Sequence, residues 1–138
     1  MNFKNFHIGI KAVILNDDKA LVLRGILSDG KMGHDLPGGR LNEGEAIEQG
    51  LIRELKEELG LDKFTVKDLL LAVEKKNYNK NGSSLIYLFY KVDAQISEVK
   101  LSKEHVEHRW ISRKDLQEII NNKEHVNDGI IQALEKVL

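Results

Sequence analysis

The chain has 138 residues, 41% of them hydrophobic and 31% charged, with 21 Lys and Arg against 22 Asp and Glu. That size suits one domain spanning residues 1–138, the apolar content excludes general disorder, and the charge balance leaves no global field for a nucleic-acid polymer or a membrane surface. Cysteine is absent, which excludes disulfides, thiolate zinc sites and a cysteine nucleophile and agrees with a reducing, cytoplasmic setting.

The first residues, Met1 to His7, lack a basic start followed by an apolar stretch, so no secretion signal is expected and the mature chain is expected to begin here. Residues 8–15 and 20–26 are rich in Ile, Val, Ala and Leu on either side of Asn16-Asp17-Asp18-Lys19, which predicts two strands joined by a polar turn. Ser28 to Gly33 reads as a loop. It leads into Leu36-Pro37-Gly38-Gly39, where the chain's single proline and two glycines impose a special backbone path.

Ile47, Leu51, Ile52, Leu55 and Leu59 set an apolar stripe on a predicted helix over residues 45–59, with Gly60 as its stop. Strands are predicted around 64–74 and 84–93, with the Asn81-Gly82 pair suited to a hairpin between them. The longest aliphatic run, Leu69 to Val73, is far short of the roughly 20 residues that span a bilayer. A short strand is predicted to end near Trp110-Ile111. Ser112-x-x-Asp115 resembles a capping box opening a helix through Ile120, and Asp128 is the expected cap of a last helix whose Ile130, Ile131, Leu134, Val137 and Leu138 dock on the core. Strands interspersed with helices predict an α/β or α+β layer arrangement on a mixed sheet.

Glu54, Glu57 and Glu58 fall at i, i+3 and i+4 of the predicted helix, so their carboxylates can converge, on a surface expected to lie largely opposite the apolar stripe. Like charges at this spacing cost roughly 0.2–0.5 kcal/mol per pair, and acids in a last turn oppose the helix dipole. Taken alone, such a face reads as solvated filler laced by Arg53 and Lys56. A divalent cation would convert the repulsion into binding energy, because hard ions prefer carboxylate and carbonyl oxygens, water and phosphate. The upstream glycine turn can bring carbonyls, and a phosphate, close to those acids.

From Gly39 the residues run Gly39, five others, Glu45, seven others, Arg53-Glu54-Leu55-Lys56-Glu57-Glu58-Leu59-Gly60-Leu61. This resembles the Nudix box, G-x5-E-x7-R-E-U-x-E-E-x-G-U with U aliphatic, at every fixed position. Looser likeness extends to Leu21-Val22-Leu23-Arg24, Asp35-Leu36-Pro37-Gly38-Gly39 and Glu107-His108-Arg109-Trp110. The resemblance implies an α/β/α sandwich with a mixed sheet. It also implies hydrolysis of a nucleoside diphosphate linked to another group, with Mg²⁺ or Mn²⁺ as cofactor, a small nucleotide-like partner and, as in many relatives, a homodimer. The sequence itself carries no interface signature.

Carried across by position, the resemblance makes Glu54, Glu57 and Glu58 metal ligands, helped by a carbonyl of the Gly38-Gly39 turn, with Arg53 and Glu45 supporting them from the side. The proton acceptor in this family is sometimes a box glutamate and sometimes an acid from a later loop. Glu104 is the first later candidate, as catalytic residue and metal ligand, and Glu107 the second. Arg24 resembles a phosphate-contacting arginine of several relatives. The place where relatives often carry Trp before Leu-Pro-Gly-Gly is taken by His34, followed by Asp35, which argues against a simple aromatic sandwich there; Asp35 joins Arg24, Gly38, Gly39 and Tyr78 among the expected substrate contacts. Tyr78, 17 residues beyond Leu61, resembles the marker of dinucleoside polyphosphate hydrolases, whereas the proline of ADP-ribose pyrophosphatases has no counterpart. His34 offers a contact to the base or phosphate, against the plainer reading of an exposed loop histidine, and Trp110 reads as core. A nucleotide sensor without catalysis is the competing reading, and its mark would be a damaged box or an attached effector domain.

Overall fold

The computed structural model describes residues 2–27, 29–76 and 83–138. The strands are β1 (Phe6–Asn16), β2 (Lys19–Ile26), β3 (Met32–Asp35), β4 (Gly38–Arg40), β5 (Thr65–Lys75), β6 (Ser84–Asp93) and β7 (His105–Ile111). The helices are α1 (Ile47–Leu59), α2 (Arg113–Asn121) and α3 (Asp128–Glu135). Tyr78 and the expected hairpin turn around it lie outside the described residues.

β1 organises the sheet. It runs parallel to β6 from Phe6↔Ser84 to Leu15↔Asp93 and antiparallel to β2 and β4, so the sheet is mixed. The strand order is β3-β2-β1-β6-β5, with β4 joined to β1 and β7 to β2. Parallel neighbours need a long crossover, and the intervening chain, α1 included, supplies it. The β1–β2 turn passes through Asp17 at φ 55°, a left-handed position that Asp tolerates better than most residues.

Alternation along β1 sends Ile10, Ala12 and Ile14 to one face and Val13 to the other, and all four are fully buried. On the first face they meet Leu21, Leu23 and Val92 with Leu51, Leu55 and Leu59 of α1. On the second, Val13 joins Val22, Phe89, Leu116, Ile119, Ile130 and Leu134, which come partly from α2 and α3. Helices on both faces of one mixed sheet make the α/β/α sandwich that the resemblance implied. Trp110 is half-buried against the α1-side cluster, as a core residue should be. No helix among the described residues is long and apolar enough to cross a membrane.

Several local expectations need correcting. The Met32-Gly33 end of the expected loop is already strand, because β3 finds β2 as a partner through Gly25↔Gly33 and Ile26↔Met32. α1 starts at Ile47 and not at 45, because the Gln49 side chain accepts from the Ala46 amide at 3.0 Å while the Glu45 carboxylate is turned to Asn42 and Arg53. Ser112 and Asp115 form the expected reciprocal cap of α2. At α3 the cap position falls to Asn127, with Asp128 in the first turn, and Asn127 makes no side-chain cap bond.

The buried side of α1 also sits differently. Its buried residues are Gly50, Leu51, Leu55, Glu58 and Leu59, so Ile52 is 49% exposed and Glu58 only 7%. At about 100° per residue, positions 51, 55 and 58 share one face, and 52 falls off its edge. The acidic cluster therefore straddles the rim of the packed face. It does not oppose that face.

Candidate active site

Three glutamates on one helix meet three environments. Glu58 lies inside, Glu54 at the edge with its side chain 12% exposed, and Glu57 outside at 60%. The glycine bend closes over the inner pair. Gly38 donates its amide to Glu58 Oε2 at 3.0 Å, and β4 holds the bend against β1 through Lys11↔Gly38 and Ile10↔Gly39. Gly38 adopts φ +144°, where an added Cβ would strike the Ile10 carbonyl, and a Cβ on Gly39 would enter the Glu54 carboxylate. Only glycine permits this approach.

Arg53 locks the outer side. Its Nε and Nη2 donate to Glu45 at 2.8 and 2.9 Å, Nη2 also reaches the Arg40 carbonyl at 2.9 Å, and Nη1 donates to Glu54 Oε1 at 2.6 Å. A further ion pair to Glu57 spans 3.6 Å. Hydrogen bonds from Arg53, then from the Asn42 amide, hold the Glu45 carboxyl down at about 2. The fork-shaped guanidinium thus fixes two acids at once.

Burial pushes the Glu58 carboxyl up to about 7, the Gly38 amide and Lys11 pull it back, and the charges of Glu54 and Asp35 add to the rise. Near neutral pH this acid is poised to take up or release a proton.

The opposite wall comes from the segment before β7. Lys100 and Ser102 donate backbone amides to the carbonyls of Leu59 and Glu58, at 3.1 and 3.2 Å, which seats the segment on the end of α1. Glu104 and His105 thereby reach Glu58, and one ligand atom from each of the three lies within 4.8 Å of the others. A recess of about 280 Å³ is lined by Gly38, Gly39, Glu54, Glu57, Glu58 and Glu104, with Ser102 beside them. Ser102 Oγ and His105 Nδ1 are buried without a protein partner, and burial lowers the His105 pKa against the pull of Asp35. Clustered carboxylates, glycine bends that leave room for a guest and orphaned polar atoms fit a divalent cation with oxygen-rich ligands.

The recess continues past Glu58 into a groove of about 560 Å³ that includes Lys11, Leu27, Asp35 and His105. Beyond it, Lys11, Leu27 and Asp35 also border a pocket of about 270 Å³ reaching Val73, Tyr87, Phe89 and Asn127. Lys11 bridges these spaces, 3.1 Å from Asp35 and 3.3 Å from the Leu36 carbonyl. Burial works against its charge, but Asp35, Glu58 and Tyr87 outweigh that and raise its pKa.

The structure gathers Glu54, Glu57, Glu58, Gly38, Gly39 and Glu104 around one recess, with Arg53 bracing Glu54 from outside it, and sets Asp35 further along the same cleft. Arg24 stands apart, exposed on β2 and 3.4 Å from Glu107, and neither lines the three spaces. His34 is not an exposed loop residue: it is buried on β3 with Nε2 3.1 Å from Glu124. Lys11 and His105 carry no motif that marks them in the sequence. A lysine inside Ile8-Gly9-Ile10-Lys11-Ala12-Val13-Ile14 and a histidine beside Glu104 were the available signals.

Against known proteins, residues 5–134 match the NUDIX domain, so the chain belongs to the Nudix family. It is similar to the nucleoside triphosphatase NudI of Escherichia coli O139:H28, with 33% identity over 88 residues, 59% of this chain and 62% of that protein. The match thus spans less than two thirds of that relative's length. The crystal structure of the MutT protein from Methanosarcina mazei Go1 superposes with a TM-score of 0.75 at 27% identity, covering 99% of this chain and 96% of that one. The solution structure of the E. coli ORF135 protein superposes at 0.76 with 23% identity over 96% and 88% of the two chains, a likeness of fold.

Proposed function

We propose that this chain, as a single domain, hydrolyses a pyrophosphate linkage in a nucleoside di- or triphosphate derivative with Mg²⁺ or Mn²⁺ as cofactor. The observation that carries the reading is the buried Glu58 under the Gly38 amide, with Glu54, Glu57 and Glu104 around the same recess. The names of the relatives, a nucleoside triphosphatase and a MutT protein, favour the same chemistry.

Glu54, Glu57, Glu58 and Glu104, with a carbonyl of the Gly38-Gly39 bend, are the residues that would hold the cation. When bound, it supplies positive charge to the diphosphate oxygens and acidity to water for in-line attack on phosphorus. Arg53 keeps Glu54 and Glu45 oriented, so the carboxylates need no rearrangement on binding. The carboxylate of Glu104, on the wall facing α1, takes the proton of the attacking water. Lys11 places a cation where the cleft leaves the acidic recess, suited to the phosphate chain beyond the scissile bond, and Asp35 holds Lys11 there. Tyr87, Phe89 and Val73 give the far pocket apolar walls for a base, with Asn127 offering hydrogen bonds.

Purified protein with Mg²⁺ or Mn²⁺ is assayed against nucleoside triphosphates, nucleotide sugars and dinucleoside polyphosphates, with products resolved by ³¹P NMR. Release of a nucleoside monophosphate with pyrophosphate or a phosphorylated group is the expected result. Folded, metal-loaded protein that turns over none of them, yet binds nucleotide by calorimetry, supports a sensor instead.

A further inference from the structure

The register between β2 and β7 changes where β7 begins. Arg24 pairs with Glu107 but Gly25 pairs with His105, so Val106 is an extra residue, exposed and without a partner across the strand pair. Side chains alternate along a strand and cross-strand partners share a face. Without the extra residue, His105 would follow Glu107 onto the α2 and α3 side. With it, His105 shares the face of Gly25, which continues Leu21 and Leu23, the face covered by α1. Bulges of this kind re-aim side chains. Gly25 makes room for the move, since a Cβ there would lie 2.6 Å from the Glu104 carbonyl and 3.1 Å from the His105 ring.

The consequence is an imidazole delivered to an otherwise oxygen-lined recess. His105, Glu104 and Glu58 each present a ligand atom within 4.8 Å of the other two. One ion with bonds of about 2.0–2.3 Å reaches all three after small side-chain adjustments. His105 Nδ1 is buried and has no protein partner, although a buried ring nitrogen ordinarily finds one. No other His or Cys joins this cluster among the described residues.

We infer that His105 is a nitrogen ligand completing a cation position with Glu58 and Glu104, and that this position selects a first-row transition ion of the Mn²⁺ to Zn²⁺ series over Mg²⁺. Imidazole binds these ions far better than it binds the hard, strongly hydrated Mg²⁺, and affinity for mixed nitrogen and oxygen sites rises from Mn²⁺ to Cu²⁺ and falls back at Zn²⁺. Glu54 and Glu57 remain an all-oxygen pair on the other side of the recess. The inference rests on the recess being the cation site of the proposed hydrolase.

The test uses Mn²⁺ alone, without nucleotide, on the full chain. Electron spin-echo modulation of bound Mn²⁺ should show ¹⁴N coupling in the wild type, lost in His105→Ala and His105→Asn and retained in the His108→Ala control. The ratio of Mn²⁺ to Mg²⁺ affinity should fall by about tenfold or more in both His105 variants, whose folding is checked by thermal melting. Mn²⁺ that binds in a Glu58-dependent way without ¹⁴N coupling overturns the nitrogen ligand and leaves the hydrolase reading standing. Coupling that survives in both folded His105 variants overturns it too. Failure of the wild type to bind Mn²⁺ at all removes both readings.

Discussion

Gly38 donates its backbone amide to Oε2 of Glu58 across 3.0 Å, joining the glycine bend to the last turn of α1. The two residues are 20 positions apart, and their contact turns a row of helix acids into a pocketed one. Glu58 is shielded from water by that bend and by the segment before β7, and burial pushes its carboxyl up to about 7. The stability of the recess, and the cation binding proposed for it, both depend on this junction and on the groups that brace it.

Glu58→Gln should change stability and rate in opposite directions. The folded-state pKa of about 7 stands above the ordinary 4.5, so the folded protein binds more protons between those values and metal-free stability falls as pH rises through them. The penalty at pH 8 is on the order of 3 kcal/mol, from a shift of about two and a half pH units. Metal-free Glu58→Gln should therefore melt higher than wild type at pH 8 and show a flatter profile from pH 4.5 to 7. Its hydrolysis rate should fall about 100-fold or more, since several kcal/mol of charge stabilisation go with the ligand. Chelator-treated wild type and variant, melted across pH, supply the comparison, and an unchanged slope speaks against a buried, protonated Glu58.

Gly38→Ala should lose both fold stability and metal affinity. The added Cβ meets the Ile10 carbonyl at a φ of +144°, a conformation that costs of order 1–3 kcal/mol for a residue with a side chain. Urea denaturation gives the first quantity and Mn²⁺ titration the second. A variant as stable as wild type would mean the bend can relax.

Arg53→Ala should act through Glu45 and Glu54. The Glu45 carboxyl is held at about 2, so its support for the fold is present above the ordinary 4.5 and is lost as pH falls from there toward 2. The variant should lose that acid-side slope in stability. Its metal affinity should drop by roughly 10–100-fold, as when an orienting partner of a ligand is removed. Acid titration followed by circular dichroism, together with calorimetry, measures both.

Glu104→Gln should impair both catalysis and cation binding, because Glu104 is proposed as base and as ligand. At Mn²⁺ concentrations that saturate the variant, loss of a positioned base lowers kcat by roughly 10²–10⁴-fold, and Mn²⁺ titration reads the loss of the ligand separately. A variant with wild-type kcat would send the role to a box glutamate such as Glu57.

Leu51, Leu55 and Leu59, the run rich in Ile, Val and Ala over residues 8–15, the Ser112 cap and the spacing from Gly39 to Leu61 are all local patterns. Side-chain period and backbone preference act over a few residues, so these features are legible in the order of amino acids alone. They suffice for a mixed α/β sandwich, for the α1 helix and for the family. What the linear pattern does not decide is which way the helix rolls and what crosses over it. Only packing against β1 puts Glu58 inside and leaves Ile52 outside, reversing the order that hydrophobicity alone suggests. Only the pairing of β4 with β1 brings Lys11 beside Gly38, and only an extra residue in β7 turns His105 toward α1. Those contacts join positions from distant stretches of chain, and their energies depend on desolvation and register set by the whole sheet, which no short window of sequence contains.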